Sequence, residues 1–171
     1  MRLSAGFTLI EMIVVMIIIS ILGAMMAPVL REAVGAYGAA NAAATTLDKL
    51  RYASTRLALE IRGMTGGSIT TMAATTLKFS TVDYVPAAVA RTVTIDRSGG
   101  NLRLAYSNPS TGSYVPVLTD QLESILFSYF DQNGMPASMP SAVRYVEYTI
   151  TLRAPSGPFY AETTRVSIRN H

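Results

Sequence analysis

The 171-residue sequence has no cysteine, one histidine (His171) and only two lysines, Lys49 and Lys78. Without cysteine there is no disulfide, no thiolate nucleophile and no cysteine-ligated zinc. The single histidine stands at the end of the sequence, where fraying is expected, so no imidazole pair is offered for acid–base or metal chemistry. No HExxH, serine elbow or glycine-rich phosphate loop occurs. The residues point away from an enzyme, and no metal or cofactor is expected. Charge is scarce too: Asp, Glu, Lys and Arg make up 15% of the chain, with a net charge of +3. No run of like charges reads as a nucleic-acid arm.

What the chain has in excess is apolar side chains, 50% of all residues, with a mean hydropathy of +0.32. The excess is concentrated. From Met12 to Leu30 no side chain is charged, and beyond Arg31 the composition is that of an ordinary globular protein. An apolar helix of roughly 20 residues spans a bilayer core, and Phe7 to Leu30 supplies that length if Glu11 is tolerated. A secretory signal has a shorter core of about 7–15 residues with its cleavage site behind it. Here the small residues Ala5 and Gly6 come first, so a cut there leaves the apolar helix in place as an anchor. Arg2, ahead of the run, is expected to hold the leader in the cytoplasm.

Glu11 is the residue in this run that demands an explanation. A carboxylate in an apolar segment costs a few kcal/mol and usually marks function. Thr8-Leu9-Ile10-Glu11 fits a capping box, in which the Glu11 side chain accepts from the Thr8 N–H, and Glu11 at headgroup depth is a second local reading. The third reading is intermolecular. Cleavage after Gly6 would create an amine on Phe7 one helical turn away, and the amine of one chain could neutralise Glu11 of the next in a helix bundle.

Gly6-Phe7-Thr8-Leu9-Ile10-Glu11, followed by the uncharged run, resembles the class III signal of type IV pilins and pseudopilins. The resemblance implies that a prepilin peptidase cleaves after Gly6 and N-methylates Phe7. It implies that Glu11 aids docking of incoming subunits, and that Pro28 lies where many major pilins kink or melt the helix. It further implies a single-pass protein of the bacterial inner membrane, with its C-terminal part outside the cytoplasm. From the lipid it would be drawn by an inner-membrane assembly platform into a pilus or pseudopilus, among other pilin or pseudopilin subunits.

Pro28 lacks an N–H and clashes with the carbonyl four residues back, so a kink or a loosened stretch near Ala24 is expected, with Gly23 adding to it. From Arg31 the pattern turns amphipathic. Leu47, Leu50, Ser54, Leu57 and Ile61 fall on one stripe of a 3.6-residue helix, while Asp48, Lys49, Arg51, Arg56, Glu60 and Arg62 take the other faces. Gly63 is the expected stop, with Arg62 in the last turn.

Beyond Gly67 the period becomes that of strands. Thr75 to Ser80, Arg91 to Asp96, Asn101 to Tyr106, Ser124 to Phe130, Val143 to Arg153 and Ala161 to Arg169 are the expected strands, with turns at 97–100 and 131–134. One apolar face (Val93, Ile95; Leu102, Leu104; Ile125, Phe127, Tyr129; Val146, Tyr148, Ile150, Leu152; Val166, Ile168) suits an antiparallel sheet covered by the helix stripe. The expected fold is α+β: a long N-terminal helix, transmembrane in its first half and amphipathic in its second, packed on a C-terminal antiparallel sheet, as in the pilin ladle fold. The parts are a leader (1–6), a membrane and filament-core helix (7–30), its amphipathic continuation (31–63) and a sheet domain (64–171).

Two further motifs have local readings that we favour. Asp131-Gln132-Asn133-Gly134 looks like the start of a calcium loop, but Pro140 stands where the loop needs a glutamate; an Asx-type turn explains it. Arg91, Arg97 and Arg103 with Tyr106 and Tyr114 could form a basic, aromatic patch for single-stranded DNA, or the solvated face of a hairpin that discourages aggregation. The order Leu122 to Tyr129, Asp131-x-x-Gly134, Val143-Arg144-x-Val146 and the Arg169-Asn170 ending resembles minor pilins and pseudopilins. The lack of a cysteine pair departs from many major pilins, and the presence of Glu11 departs from the tip-most pseudopilin. The function expected is that of a minor pilin or pseudopilin. The alternatives are an adhesin-like or DNA-binding minor pilin and a membrane-tethered domain that does not polymerise.

Overall fold

A computed structural model describes residues 8–64, 66–83, 89–108, 112–155 and 157–169. The long helix expected from the sequence is present as α1 (Leu9–Arg62), followed by antiparallel strands. The chain divides into two units, Met1–Asn41 and Ala42–His171, which are described separately.

In the first unit, every described residue from Thr8 to Asn41 is exposed. Within this unit the apolar side chains from Leu9 to Leu30 have no core to enter. An 18-residue window of α1 has a mean hydropathy of 2.7 with none of it buried, enough by length and composition to cross a membrane. The one hydroxyl between Met12 and Leu30, on Ser20, donates to the Met16 carbonyl at 2.7 Å, so it offers no unmatched polar group to an apolar surrounding. The helix is unbroken through Gly23 and Pro28.

In the second unit, α1 buries Thr46, Leu50, Ala53, Ser54, Leu57, Ala58 and Ile61. Leu47, expected on this stripe, is only half-buried, and Thr46 takes the inward position. The helix stops after Arg62, but Gly63 is not left-handed. The last turn tightens through Gly63 N–H to Glu60 O (3.1 Å) and Met64 N–H to Ile61 O (3.2 Å), as helix ends commonly do. Met64 then enters the core, and its carbonyl accepts from the Arg169 N–H at 3.1 Å.

The single sheet expected from the alternation proves to be two. In the first sheet, β1 (Ile69–Met72), β2 (Leu77–Asp83), β3 (Val89–Ser98) and β4 (Asn101–Asn108) run as an antiparallel meander. The outer edge of β4 is then taken twice, by β5 (Gly112–Tyr114) opposite Tyr106–Asn108 and by β6 (Val117–Thr119) opposite Leu102 and Arg103. β7 (Leu122–Phe130), β8 (Tyr145–Arg153) and β9 (Phe159–Ser167) form a second antiparallel ladder. β1, β5 and β6 have three or four residues each, too short to show a period of two. Val143 and Arg144, expected within a strand, precede β8, because Pro140–Ala142 forms a single 3-10 turn closed by Val143 N–H to Pro140 O. The last strand lies two residues earlier than expected. The β3–β4 turn is narrower than 97–100: Ser98 pairs with Asn101, and Gly99 takes φ +60°, which a residue without Cβ adopts cheaply.

Both sheets face one apolar core. Leu77, Phe79, Val93, Ile95, Leu102 and Leu104 enter from the first sheet, and Ile125, Phe127, Val146, Tyr148, Ile150 and Leu152 from the second. Tyr129 is partly buried and packs at the rim, with its hydroxyl donating to Ala73 O at 2.8 Å.

Leu57 is fully buried at the centre of this core, so Leu57→Ala is expected to cost about 2–5 kcal/mol in urea unfolding of the detergent-solubilised full chain. A Cβ at Gly63 would meet Glu60 O at an ordinary 3.4 Å, and Gly63→Ala should leave the same transition in place.

Candidate functional site

Gly6 and Phe7, the expected cleavage and methylation positions, lie outside the described residues, as does His171. The described chain begins at Thr8, and there the capping box is formed. Thr8 N–H donates to Glu11 Oε2 at 3.5 Å, Glu11 N–H donates to Thr8 Oγ1 at 3.4 Å, and Met12 N–H reaches Thr8 O at 3.2 Å. These side-chain bonds are long, and Glu11 is exposed. A carboxylate has roughly four lone-pair sites, so a single long cap bond leaves most of its accepting capacity for another donor. Glu11 is the only charge between Thr8 and Leu30. Around it Leu9, Ile10, Met12 and Ile13 present apolar surface.

Of the arginines and tyrosines expected as a patch, the structure brings together Arg91 and Tyr106, with Tyr114 opposite Tyr106 in the ladder, but not Arg103. Arg91 and Tyr106 point to the same side of the first sheet as Val93, and they meet Glu60 of α1. Arg103 lies on the opposite face, bidentate to its cross-strand partner Asp96 (Nε–Oδ1 2.9 Å, Nη2–Oδ2 2.7 Å). Arg97 donates to the carbonyls of Gly99 and Glu123. Tyr114 is exposed on β5. The basic groups are thus spread over two faces and engaged within the protein. Arg91, expected on a solvated hairpin face, is instead half-buried against Glu60.

Glu60, expected on the solvent side of α1, is buried, its side chain 6% exposed. Burial is sustained because donors converge on it. Arg56 Nη2 and Tyr106 OH (2.7 Å) reach Oε1, and Arg91 Nη2 reaches Oε2 at 3.3 Å. Arg56 also donates to the Tyr106 oxygen at 2.7 Å, and the Arg91 guanidinium lies 4.9 Å from the Tyr106 ring centroid. Carboxylate and guanidinium neutralise one another, which is what a buried charge requires. Its sequence signal was the Arg56–Glu60 spacing of four, which reads equally well as a surface pair.

A second cluster centres on Ser54. Its hydroxyl donates to Glu162 Oε1 (2.8 Å) and lies 3.2 Å from Thr164 Oγ1, while the buried Tyr148 hydroxyl donates to Ser54 O at 2.7 Å. Burial pushes the Tyr148 phenol up. The polar residue in an otherwise apolar stripe was the trace of this cluster in the sequence. Lys49 Nζ, 2.6 Å from Asp120 Oδ1, adds an exposed tie to the same unit and holds the Asp120 carboxyl below its ordinary value.

The 131–134 segment is an Asx turn. Asp131 Oδ1 accepts from Asn133 N–H (2.8 Å) and Met135 N–H (2.9 Å), and Gly134 takes φ +76°. That oxygen is committed to its own backbone. Among the described residues no group of three or more His, Cys, Asp or Glu stands together in a way that could hold a metal ion.

Comparison with known families finds a match over residues 1–27 to the prokaryotic N-terminal methylation motif. No curated protein matches the chain.

The Tyr106 phenol is pushed up from 10.0 to about 12, by burial and then by donation to the Glu60 carboxylate. A neutral form favoured by folding contributes stability below the unfolded value and loses it as pH rises through the folded one. Tyrosinate absorbance should therefore show Tyr106 ionising late. Stability should fall as pH rises from 10.0 towards 12, and Tyr106→Phe should lessen that fall.

Proposed function

We propose that this chain, which carries the N-terminal methylation signal of type IV pilin-like prepilins, is a filament subunit: a minor pilin of a type IV pilus or a pseudopilin of a type II secretion pseudopilus. It is cut after Gly6 by prepilin peptidase, methylated on Phe7, held in the inner membrane by α1 with its sheet unit outside the cytoplasm, and polymerised through that helix. An inner-membrane assembly platform draws it from the lipid into the filament beside other pilin or pseudopilin subunits. The role is structural, without catalysis.

The observation that carries this reading is the coincidence of the methylation motif over residues 1–27 with an apolar helix that no part of its own unit covers and that bears one carboxylate, Glu11. Exposed in the described chain, that helix needs an apolar surrounding. Lipid supplies it first, and a bundle of like helices supplies it afterwards. In lipid a carboxylate costs about 2.5–3.5 kcal/mol at mid-depth. In a bundle, the amine of a neighbouring Phe7 removes that cost for both groups, so the transfer has a direction. The dispersed and engaged arginines weigh against the DNA-binding alternative.

Mass spectrometry of the native protein is the test. The expected mature chain starts at Phe7 and carries one methyl group on its amine. An intact Met1 leader in cells that possess the peptidase overturns the assignment and leaves a tethered sheet domain. Glu11→Ala is expected to preserve membrane insertion and helix content while reducing recovery in sheared filament fractions by about tenfold or more, since a few kcal/mol separates the paired from the unpaired site.

A further inference from the structure

Within the second unit, α1 is tied to each sheet by its own polar cluster of described residues. On the first sheet, Glu60 receives Arg91 of β3 and Tyr106 of β4, with Arg56 of α1 beside them. Thr81 of β2 adds a longer bond, from its hydroxyl to Gly63 O at 3.4 Å. On the second, Ser54 meets Tyr148 of β8 and Glu162 and Thr164 of β9. The two sheets share no ladder. The backbone links from β7 to the first sheet and its turns are Leu122 N–H to Gly100 O (2.8 Å) and Phe127 N–H to Ala74 O (2.7 Å).

We infer that these clusters are two separate latches. The Glu60 cluster governs the opening of β2–β4 from α1, and the Ser54 cluster governs the opening of β8–β9. Apolar contact is non-directional, so Leu57 and Ile61 alone would tolerate small shifts of either sheet along the helix. A carboxylate approached by three donors from two strands and a helix is satisfied in one placement. Loss of that carboxylate removes the shared acceptor of Arg56, Arg91 and Tyr106, a penalty that falls on the junction of α1 with the first sheet. Proteins open in cooperative parts, each with its own free energy, and the position of the two clusters divides this unit along the sheet boundary. Glu60 and Ser54 are positioning residues in this device.

Hydrogen–deuterium exchange of the full chain in detergent micelles, resolved by peptide, tests the division. Glu60→Gln should raise exchange in β2–β4 by about tenfold or more while β8 and β9 stay within about twofold of wild type. Ser54→Ala should show the reverse pattern. Equal acceleration of both sheets in either variant, or no acceleration in β2–β4 on Glu60→Gln, overturns the inference. Should Glu60→Gln fail to accumulate as folded protein, Tyr106→Phe decides by the same criterion, because it keeps the carboxylate and both arginines and removes a single donor.

Discussion

An uncharged helical surface from Met12 to Leu30, with no apolar partner in its own unit, sets the terms for the rest of the molecule. Burying one Val, Leu, Ile or Met side chain is worth about 1.5–3 kcal/mol, and fourteen of them line this stretch, all exposed, so water is an unfavourable surrounding for the helix. Backbone polar groups are satisfied within the helix, and the Ser20 hydroxyl is satisfied by Met16 O. The segment is therefore fit for hydrocarbon along its length, except at Glu11. That one carboxylate is the only group of the stretch that calls for a polar or cationic partner.

The second unit is held by other means. Its apolar core is built from the inward stripe of α1 from Leu50 onward and the inner faces of two sheets. The core supplies the driving force, and the polar clusters supply the placement. Glu60 and Ser54 lie six residues apart on α1, and each addresses a different sheet. A buried ion cluster of this kind adds little net stability over an apolar replacement. What it does is penalise every arrangement in which its donors are not all present.

The outer side of β4 is taken by β5 and β6 in tandem, and β7 pairs with β8 in a ladder of its own. The pleat accounts for the faces taken by the arginines. Arg103 and Arg91 belong to adjacent strands, but the pleat sends them to opposite faces, one to Asp96 and the other to Glu60.

The sequence by itself determined the features whose physics is local. The uncharged run is a count of side chains. The capping box of Thr8 and Glu11, the Asx turn at Asp131 and the positive φ of Gly99 and Gly134 each depend on residues within four positions of one another. The inward residues of the long strands followed from a period of two. The tertiary structure alone decided the short strands β1, β5 and β6, the division into two sheets, and the burial of Glu60. Glu60 is bonded to residues 31 and 46 positions away, and Ser54 to residues 94 to 110 away. A spacing pattern along the chain encodes which face a residue takes on its own element. Which distant donor meets that face depends on how the elements pack, and that is settled only when the core closes.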